Sequence, residues 1–390
     1  MIDGASAACA GASGPRRKAH FVFLDGMRGI AALAVGWLHA SQIFSIGYHP
    51  FHAFLAVDFF FCLSGFVVAC AYDHKLAHGM TFGDFAIRRM IRLYPMILCG
   101  VLVGALVSSF EAGAAQNELL GVVALTASAL VLVPLGFAFG QEAYPVNNPI
   151  WTLFFELAGS FVYGFERRFV RLRGLIPLLA LVLTGTVLVF SAHHWHTLEV
   201  LGYSDPKMFV GGLVRLAFPF LAGVLIYRSS VYKLGFALPS PPLAAALFLI
   251  LCAPISHVSW IYDSISVLIL FPALIILGAG ANCSGRLAAI WSLFGRLSYP
   301  FYLIHQPIIR AVRRLKELSN VPEAAGHALV PLSVLLAIGC AWAVTALYDE
   351  PVRRWLSSLR PQHRLAAPPD HSQPKWSPVR RREWSYFKDS

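Results

Sequence analysis

Apolar runs and short polar connections alternate along most of this chain. Each run can cross a hydrocarbon core about 30 Å thick as a helix, which satisfies its own backbone hydrogen bonds as lipid requires. The pattern therefore predicts an all-α, polytopic transmembrane bundle of about ten membrane helices. They lie near residues 21–46, 52–72, 94–111, 150–164, 174–190, 209–227, 243–258, 264–282, 297–312 and 328–347.

A further apolar run, 118–139, is assigned by the positive-inside rule. Basic residues at 16–18 place the N-terminus in the cytoplasm, and the basic loop at 73–93 agrees with that orientation. The next basic loop, 167–173, falls on the same side only if 118–139 does not fully cross. We therefore predict that this run is re-entrant or interfacial, although the basic residues at 313–316 then lie outside.

The composition favours a membrane protein over a soluble one. Hydrophobic residues make up 57% of the 390 residues and charged residues 13%, with a mean hydropathy of +0.64; soluble chains carry about 25% charged residues. Much of the net charge of +11 lies in short loops and the C-terminal tail, which indicates the lipid bilayer rather than nucleic acid as partner. The seven cysteines are isolated, as packing residues are, and predict neither disulfides nor a metal site.

The chain divides into three parts by composition. Residues 1–19 form a cytoplasmic N-terminal segment, and residues 20–357 form the membrane domain. Residues 358–390 are rich in proline, arginine and polar groups, which predicts a disordered basic tail, also cytoplasmic.

The first predicted helix carries ionisable residues, which are costly inside a bilayer and therefore candidates for function. Arg28 and His39 are eleven residues apart, so they share one helical face at roughly 16 Å along the axis. Histidine titrates near neutral pH and suits proton transfer. The structural alternative is a packed core histidine with Arg28 extending to the interface.

Four more ionisable residues fall within apolar helices. Asp58 is a second charge inside the membrane, and Glu156 lies near the outer side in the predicted topology. A structural interpretation pairs Glu156 with Arg215 of a later helix. His305 is interpreted as a core histidine hydrogen-bonded to a neighbour.

Three arginines lie where a cytoplasmic loop meets the third predicted helix. Arg89 and Arg92 are one turn apart, with Arg88 beside them. Paired guanidinium groups bind phosphates bidentately. The alternative is ordinary positive-inside anchoring of the helix.

Six motifs in order carry a resemblance to a known family. They are FLDGMRGIAALAVGWLHA, FFFCLSGF, RRMIR, NNPIWTLFFE, SYPFYLIHQPI and DEPVRRW. Over residues 19–356 the chain resembles the membrane acyltransferase 3 family, which includes glycan O-acetyltransferases. Thr152 stands where the family motif has serine, and no extra periplasmic catalytic domain follows the membrane core.

The resemblance implies a donor and a catalytic residue. The donor would be cytoplasmic acyl-CoA, with an acetyl group expected, used as a substrate; no bound cofactor is expected. Arg88, Arg89 and Arg92 would hold its phosphates, and Arg28 would help to draw in the acyl arm. His39 would act as general base on an acceptor hydroxyl.

The acceptor would be a hydroxyl of a cell-surface or exported carbohydrate, in a bacterial inner membrane. Glu156, if it faces outward, would orient this acceptor as part of the catalytic set. Asp58, Trp151, Arg215 and His305 are the predicted substrate-binding residues. No metal site is predicted, since no carboxylate or cysteine completes the histidine cluster at 193–196.

Two other functions remain open at this stage. Buried ionisable residues also suit a proton-coupled secondary transporter, although transporters are commonly built from repeats and the sequence shows none. A non-catalytic relative that binds glycan is the second alternative. Direct transfer and an acyl-enzyme route also both remain open.

Overall fold

The computed structural model describes most of the chain, and every named element within it is helical. The described residues are 21–46, 52–112, 116–170, 175–234, 237–254 and 259–359. The predicted N-terminal segment 1–19 and all but the first two residues of the predicted tail lie outside them. The helices are α1 (Val22–Ile43), α2 (Ala56–Ala77), α3 (Phe82–Ala112), α4 (Gln116–Leu130), α5 (Ile150–Phe165), α6 (Ile176–Trp195), α7 (Pro206–Arg228), α8 (Ser240–Cys252), α9 (Ser259–Ile265), α10 (Phe271–Ala279), α11 (Gly285–Leu318), α12 (Gly326–Val344) and α13 (Glu350–Ser358).

The described residues include seven helical stretches long and apolar enough to cross a membrane. They are 53–77, 82–112, 176–195, 206–228, 259–279, 285–318 and 323–358. The described part of the chain is thus all-helical, and the protein is an integral membrane protein, as predicted. The other three predicted crossings correspond to α1, α5 and α8, which are helices but are not among the seven, so the count of ten stays a prediction.

Glycines bring α1 and α11 into close contact. A Cβ atom on Gly26 would lie 2.8 Å from the Cβ atom of Trp291, and one on Gly29 would lie 2.6 Å from the carbonyl oxygen of Phe294. Residue numbers rise together along the two helices, so they run parallel. Small residues permit this close approach. The resulting van der Waals packing drives helix association in lipid, where the hydrophobic effect gives no driving force.

A second glycine-mediated pair is formed by α2 and α7. A Cβ atom on Gly65 would lie 2.0 Å from the carbonyl oxygen of Phe220, and one on Gly223 would lie 2.0 Å from that of Cys62. These helices are also parallel, because Asp58 near the start of α2 contacts Arg215 in the first half of α7. We call the end of the bundle where α1 begins proximal, and the end where α1 ends distal.

The segment from α4 to α5 enters the bundle and turns back. With 15 residues, α4 is about 22 Å long and too short to cross the hydrocarbon core. Its last carbonyl, that of Leu130, accepts a hydrogen bond of 2.7 Å from Tyr94 of α3. The chain then returns toward the distal end, where the carbonyl of Val146 lies against Gly104. This geometry supports the predicted re-entrant interpretation of 118–139.

The basic cluster near the distal end of α11 has acidic partners. At 34 residues, α11 is about 51 Å long, so it extends beyond a hydrocarbon core. Arg313 and Arg314 lie 2.9 and 3.5 Å from the Glu317 carboxylate, and Lys316 lies 2.6 Å from Glu323. These partners neutralise the cluster locally, but the positive-inside rule counts basic residues and not net charge, so the cluster remains an exception to that rule.

Candidate active site

A cavity of about 390 Å³ opens from the proximal end toward the middle of the bundle. Residues of α1, α2, α3, α5, α11 and the α12–α13 region line it. We call it the proximal cavity. Five arginines against three carboxylates make it basic: Arg28, Arg89, Arg92, Arg296 and Arg353, with Asp25, Glu156 and Asp349.

Arg28 is held at the wall of the proximal cavity by α11. Its Nε donates to the hydroxyl of Ser298 at 2.8 Å and its Nη2 donates to the carbonyl of Gly295 at 3.1 Å. The Asp25 carboxylate lies 3.6 Å away. These contacts fix the guanidinium to α11, and Arg28 lines the cavity.

Glu156 pairs with Arg89, which corrects two expectations. Arg89 Nη2 lies 2.8 Å from Glu156 Oε1, and the Ser64 hydroxyl donates to the same oxygen at 2.9 Å. The alternative pairing with Arg215 is therefore wrong. The outer placement of Glu156 is wrong as well, because Arg89 lies near the proximal start of α3 and both residues line the same cavity. The structure therefore gives no support to the predicted role of Glu156 in orienting the acceptor from the outer side.

The three predicted phosphate-binding arginines separate in the structure. Arg89 is buried, with its Nε lacking a partner among the described residues, and Arg92 lines the same cavity one turn later. Arg88 is exposed and is not part of the lining. Adjacent helical residues point about 100° apart, so only two of the three face the cavity.

Two site residues were missed by the sequence reasoning, which used their motif only for the family resemblance. Asp349 and Arg353 line the proximal cavity and lie 2.6 Å apart. Asp349 is buried, and its Oδ1 has no partner among the described residues. Their i,i+4 spacing at the end of an apolar helix was an available signal.

Three predicted substrate-binding residues form a closed cluster elsewhere. Arg215 and Asp58 are fully buried and 2.6 Å apart. Arg215 also donates to the carbonyls of Phe54 and Leu201, and its guanidinium carbon lies 5.6 Å from the Trp151 ring centroid. None of Asp58, Trp151 and Arg215 lines the proximal cavity. Their placement supports a structural role rather than the predicted substrate binding.

The two candidate histidines contact each other directly. His39 Nδ1 lies 2.8 Å from His305 Nε2. His305 is fully buried, so it has the hydrogen-bonded core position predicted for it, and its partner is His39. Both Arg28 and His39 contact α11, which confirms that they share a face of α1.

The proximal cavity ends close to this histidine pair. Thr152 and Tyr302 are lining residues whose hydroxyls lie 3.0 Å apart. Tyr302 also supplies a backbone carbonyl to His305, one turn further along α11. Neither histidine is part of the lining. The cavity therefore stops within about one helical turn of the pair.

Comparison with known proteins identifies the family. The family described as "Acyltransferase domain" matches residues 21–346. "Protein 2 in picA locus" from Rhizobium radiobacter is 38% identical over 37% of this chain and 81% of its own length. "Exopolysaccharide production protein ExoZ" from Rhizobium meliloti is 28% identical over 71% of this chain and 82% of its own. "Acyltransferase MdmB" from Streptomyces mycarofaciens is 26% identical over 91% of this chain and 97% of its own.

No solved structure matches this chain. The family match covers the helical bundle from the start of α1 into the last turns after α12. It includes the His39–His305 pair and every lining residue of the proximal cavity except Asp349 and Arg353. On this evidence the chain belongs to the acyltransferase 3 family of integral membrane proteins.

Proposed function

We propose that this protein moves an acyl group, with acetyl expected, from cytoplasmic acyl-CoA to a hydroxyl of a cell-surface or exported carbohydrate. The observation that carries the proposal is a basic cavity that runs from the proximal end to within about one helical turn of a histidine pair. The family supplies the reaction class. The proximal end would face the cytoplasm of a bacterium, with both termini on that side and the protein in the inner membrane.

The mouth of the proximal cavity suits the phosphates of the donor. Arg92 and Arg353 line it, and buried Arg89 offers an unused Nε. Guanidinium groups bind phosphate oxygens in pairs. Ligand pockets span about 300–1,000 Å³, so a cavity of about 390 Å³ suits the acyl-pantetheine arm, with the nucleotide at the mouth. Arg28, fixed to α11, would flank the arm.

His39 would act as the general base. It takes the proton of the acceptor hydroxyl as that oxygen attacks the thioester carbonyl. The carbon–sulfur bond then breaks, and the leaving thiolate takes the proton back. The acceptor would approach from the distal side. The name of the relative from Rhizobium meliloti refers to exopolysaccharide, which supports a carbohydrate acceptor.

A complementation experiment tests the proposal. A strain lacking the protein would carry the wild type, His39→Ala or His194→Ala, at equal levels in the membrane, and glycan O-acylation would be measured by mass spectrometry. His194 is exposed on α6 and serves as the control. We expect the wild type and His194→Ala to restore the acyl group and His39→Ala not to restore it.

The other outcomes are equally informative. If His39→Ala restores acylation fully, His39 only packs in the bundle and the assignment fails. If the wild type restores no acylation and the purified protein transfers no acyl group from acyl-CoA, the transporter interpretation gains support. A chain that restores the phenotype without any acyl transfer would fit the glycan-binding alternative.

A further inference from the structure

We infer that His305 is a positioning residue that fixes the tautomer of His39, so that Nε2 of His39 is the nitrogen that takes the proton. The inference rests on the proposed function, because it assigns a role within the same reaction. His305 does not itself need to touch either substrate.

Backbone carbonyls determine which nitrogen of His305 carries hydrogen. Its Nδ1 lies 2.8 Å from the carbonyl oxygen of Tyr302 and 3.2 Å from that of Phe301. Carbonyl oxygens only accept hydrogen bonds, so Nδ1 of His305 is the protonated donor. In a neutral imidazole the other nitrogen is then an acceptor. Nε2 of His305 therefore presents a lone pair.

That lone pair faces Nδ1 of His39 at 2.8 Å. A hydrogen bond at this distance requires Nδ1 of His39 to donate, so Nδ1 carries the hydrogen. Nε2 of neutral His39 is then unprotonated and available as a base. This is the arrangement by which a neighbouring group orients the base of a catalytic triad.

The ring geometry agrees with a hydrogen bond. The ring centroids are 5.1 Å apart and the planes differ by 9°. Parallel rings in face-to-face contact would not bring two nitrogens to 2.8 Å, so the imidazoles lie edge to edge. The N–H of His39 thus points along the ring plane toward the acceptor, as strong hydrogen bonds require.

The bundle holds His305 rigidly. It is fully buried in α11, two residues before Pro307, which cannot donate to the carbonyl of Leu303. The Asn147 side chain donates to that carbonyl instead, at 2.7 Å. On the α1 side, Gly36 leaves room for the Phe301 ring beside His305, since a Cβ there would lie 2.5 Å from the ring.

A neutral partner suits this depth in a membrane. Within the part of the chain that the structure describes, no carboxylate hydrogen-bonds to His39. A carboxylate here would add a buried charge that is costly in the bilayer. A neutral imidazole provides an acceptor and orients His39 without that cost.

Three substitutions test the role. His305→Gln places an amide oxygen near the former Nε2 position, where it can still accept the hydrogen bond from His39. The side chain of His305→Asn is too short to reach that position, and His305→Phe offers no acceptor. General-base catalysis contributes about 10²- to 10⁴-fold. We expect kcat to fall about 100-fold or more in the Asn and Phe variants, with the KM for acyl-CoA unchanged. The kcat of the Gln variant should stay within about tenfold of the wild-type kcat, because this variant keeps part of the hydrogen bond to His39.

A double variant and a spectrum separate this inference from the proposed function. In a His39→Ala background, His305→Phe should cause no further loss of kcat. Solid-state ¹⁵N NMR of the histidine-labelled wild type, with His39→Gln used for assignment, should show His39 protonated at Nδ1 and not at Nε2. The spectrum needs no activity, so it reports on the tautomer even if acyl transfer is never detected.

Either of two results would overturn the inference. One is a wild-type spectrum that shows His39 protonated at Nε2. This result counts even if the His305 variants fail to fold, because it is measured on the wild type. The other is a His305→Phe variant with wild-type kcat. If the wild type transfers no acyl group but the spectrum shows the expected tautomer, the proposed function fails while the positioning geometry stands.

Discussion

The two buried arginines that the structure describes, Arg89 and Arg215, differ in the oxygens around them. Arg215 directs its nitrogens to the Asp58 carboxylate and two carbonyls and is fully buried. Arg89 has one carboxylate partner and an unused Nε beside the proximal cavity. A guanidinium with a partner on each of its three nitrogens stabilises the fold, whereas one with an unpartnered nitrogen at a cavity wall can still bind a ligand.

Asp58→Ala should destabilise the protein severely. Removing one partner of a buried ion pair leaves an unpaired charge and costs about 3–5 kcal/mol. The melting temperature in detergent should fall clearly. Arg313→Ala, which removes half of an exposed pair, should change it little. An Asp58→Ala protein that melts like the wild type but binds acceptor poorly would restore the substrate-binding role.

Arg92→Ala and Arg88→Ala should differ in donor affinity. Arg92 lines the proximal cavity and Arg88 is exposed outside it. A hydrogen bond to a charged group contributes about 1.5–3 kcal/mol, so the KM for acyl-CoA should rise at least tenfold in Arg92→Ala. Arg88→Ala should leave it unchanged. Equal effects would mean that general positive charge, and not the cavity wall, attracts the donor.

At the scale of the elements, the bundle depends on the close approach of parallel helices. The α2–α7 contact places backbone against backbone at Gly65 and Gly223, where a Cβ would meet a carbonyl oxygen at 2.0 Å. Neither carbonyl is the flexible end of a side chain. A methyl group there must separate the helices and disturb the buried Asp58–Arg215 pair on the same interface.

Gly65→Ala should therefore destabilise the protein, by about 1–3 kcal/mol as overpacking does, whereas Gly121→Ala should not. Gly121 lies in α4, and nothing lies within 4 Å of a Cβ placed there. Alanine favours a helix over glycine by up to about 1 kcal/mol, so Gly121→Ala should be neutral or stabilising. Thermal melting of both variants measures the difference, and a Gly65→Ala protein as stable as the control would show that the helices separate at little cost.

At the scale of the whole molecule, the segment from α4 to α5 sets the orientation of everything after α3. If α4 and its following turns crossed the membrane, every later helix would reverse relative to α1. Instead α1 and α11 run parallel, as do α2 and α7. This arrangement brings the cavity-lining residues of α1, α3 and α13 to one end.

Cysteine labelling in intact cells checks this topology. In a background without native cysteines, Gln141→Cys and Ser319→Cys should react with a membrane-impermeant reagent from the same side. His78→Cys should react only after the membrane is opened. All three positions are exposed. Labelling of Gln141→Cys together with His78→Cys would mean that 118–139 crosses completely.

The sequence alone determined the local features of this protein. Hydropathy and charge showed a helical membrane protein, and a period of 3.6 residues placed Arg28 and His39 on one face of α1. These properties depend on neighbours within a few turns, so a single segment contains them. The ordered motifs then indicated the family over almost the same residues that match it.

Only the tertiary structure decided which side chains meet. His39 and His305 are 266 residues apart. Glu156 was expected to pair with Arg215, but packing placed Arg89 beside it instead. Arg88 and Arg92 look alike in sequence but face different surroundings, and Arg353 joins the site from the far end of the chain. Such contacts depend on helix rotation, tilt and order in the bundle, which are set by glycine-mediated packing between segments and not by any one segment's pattern.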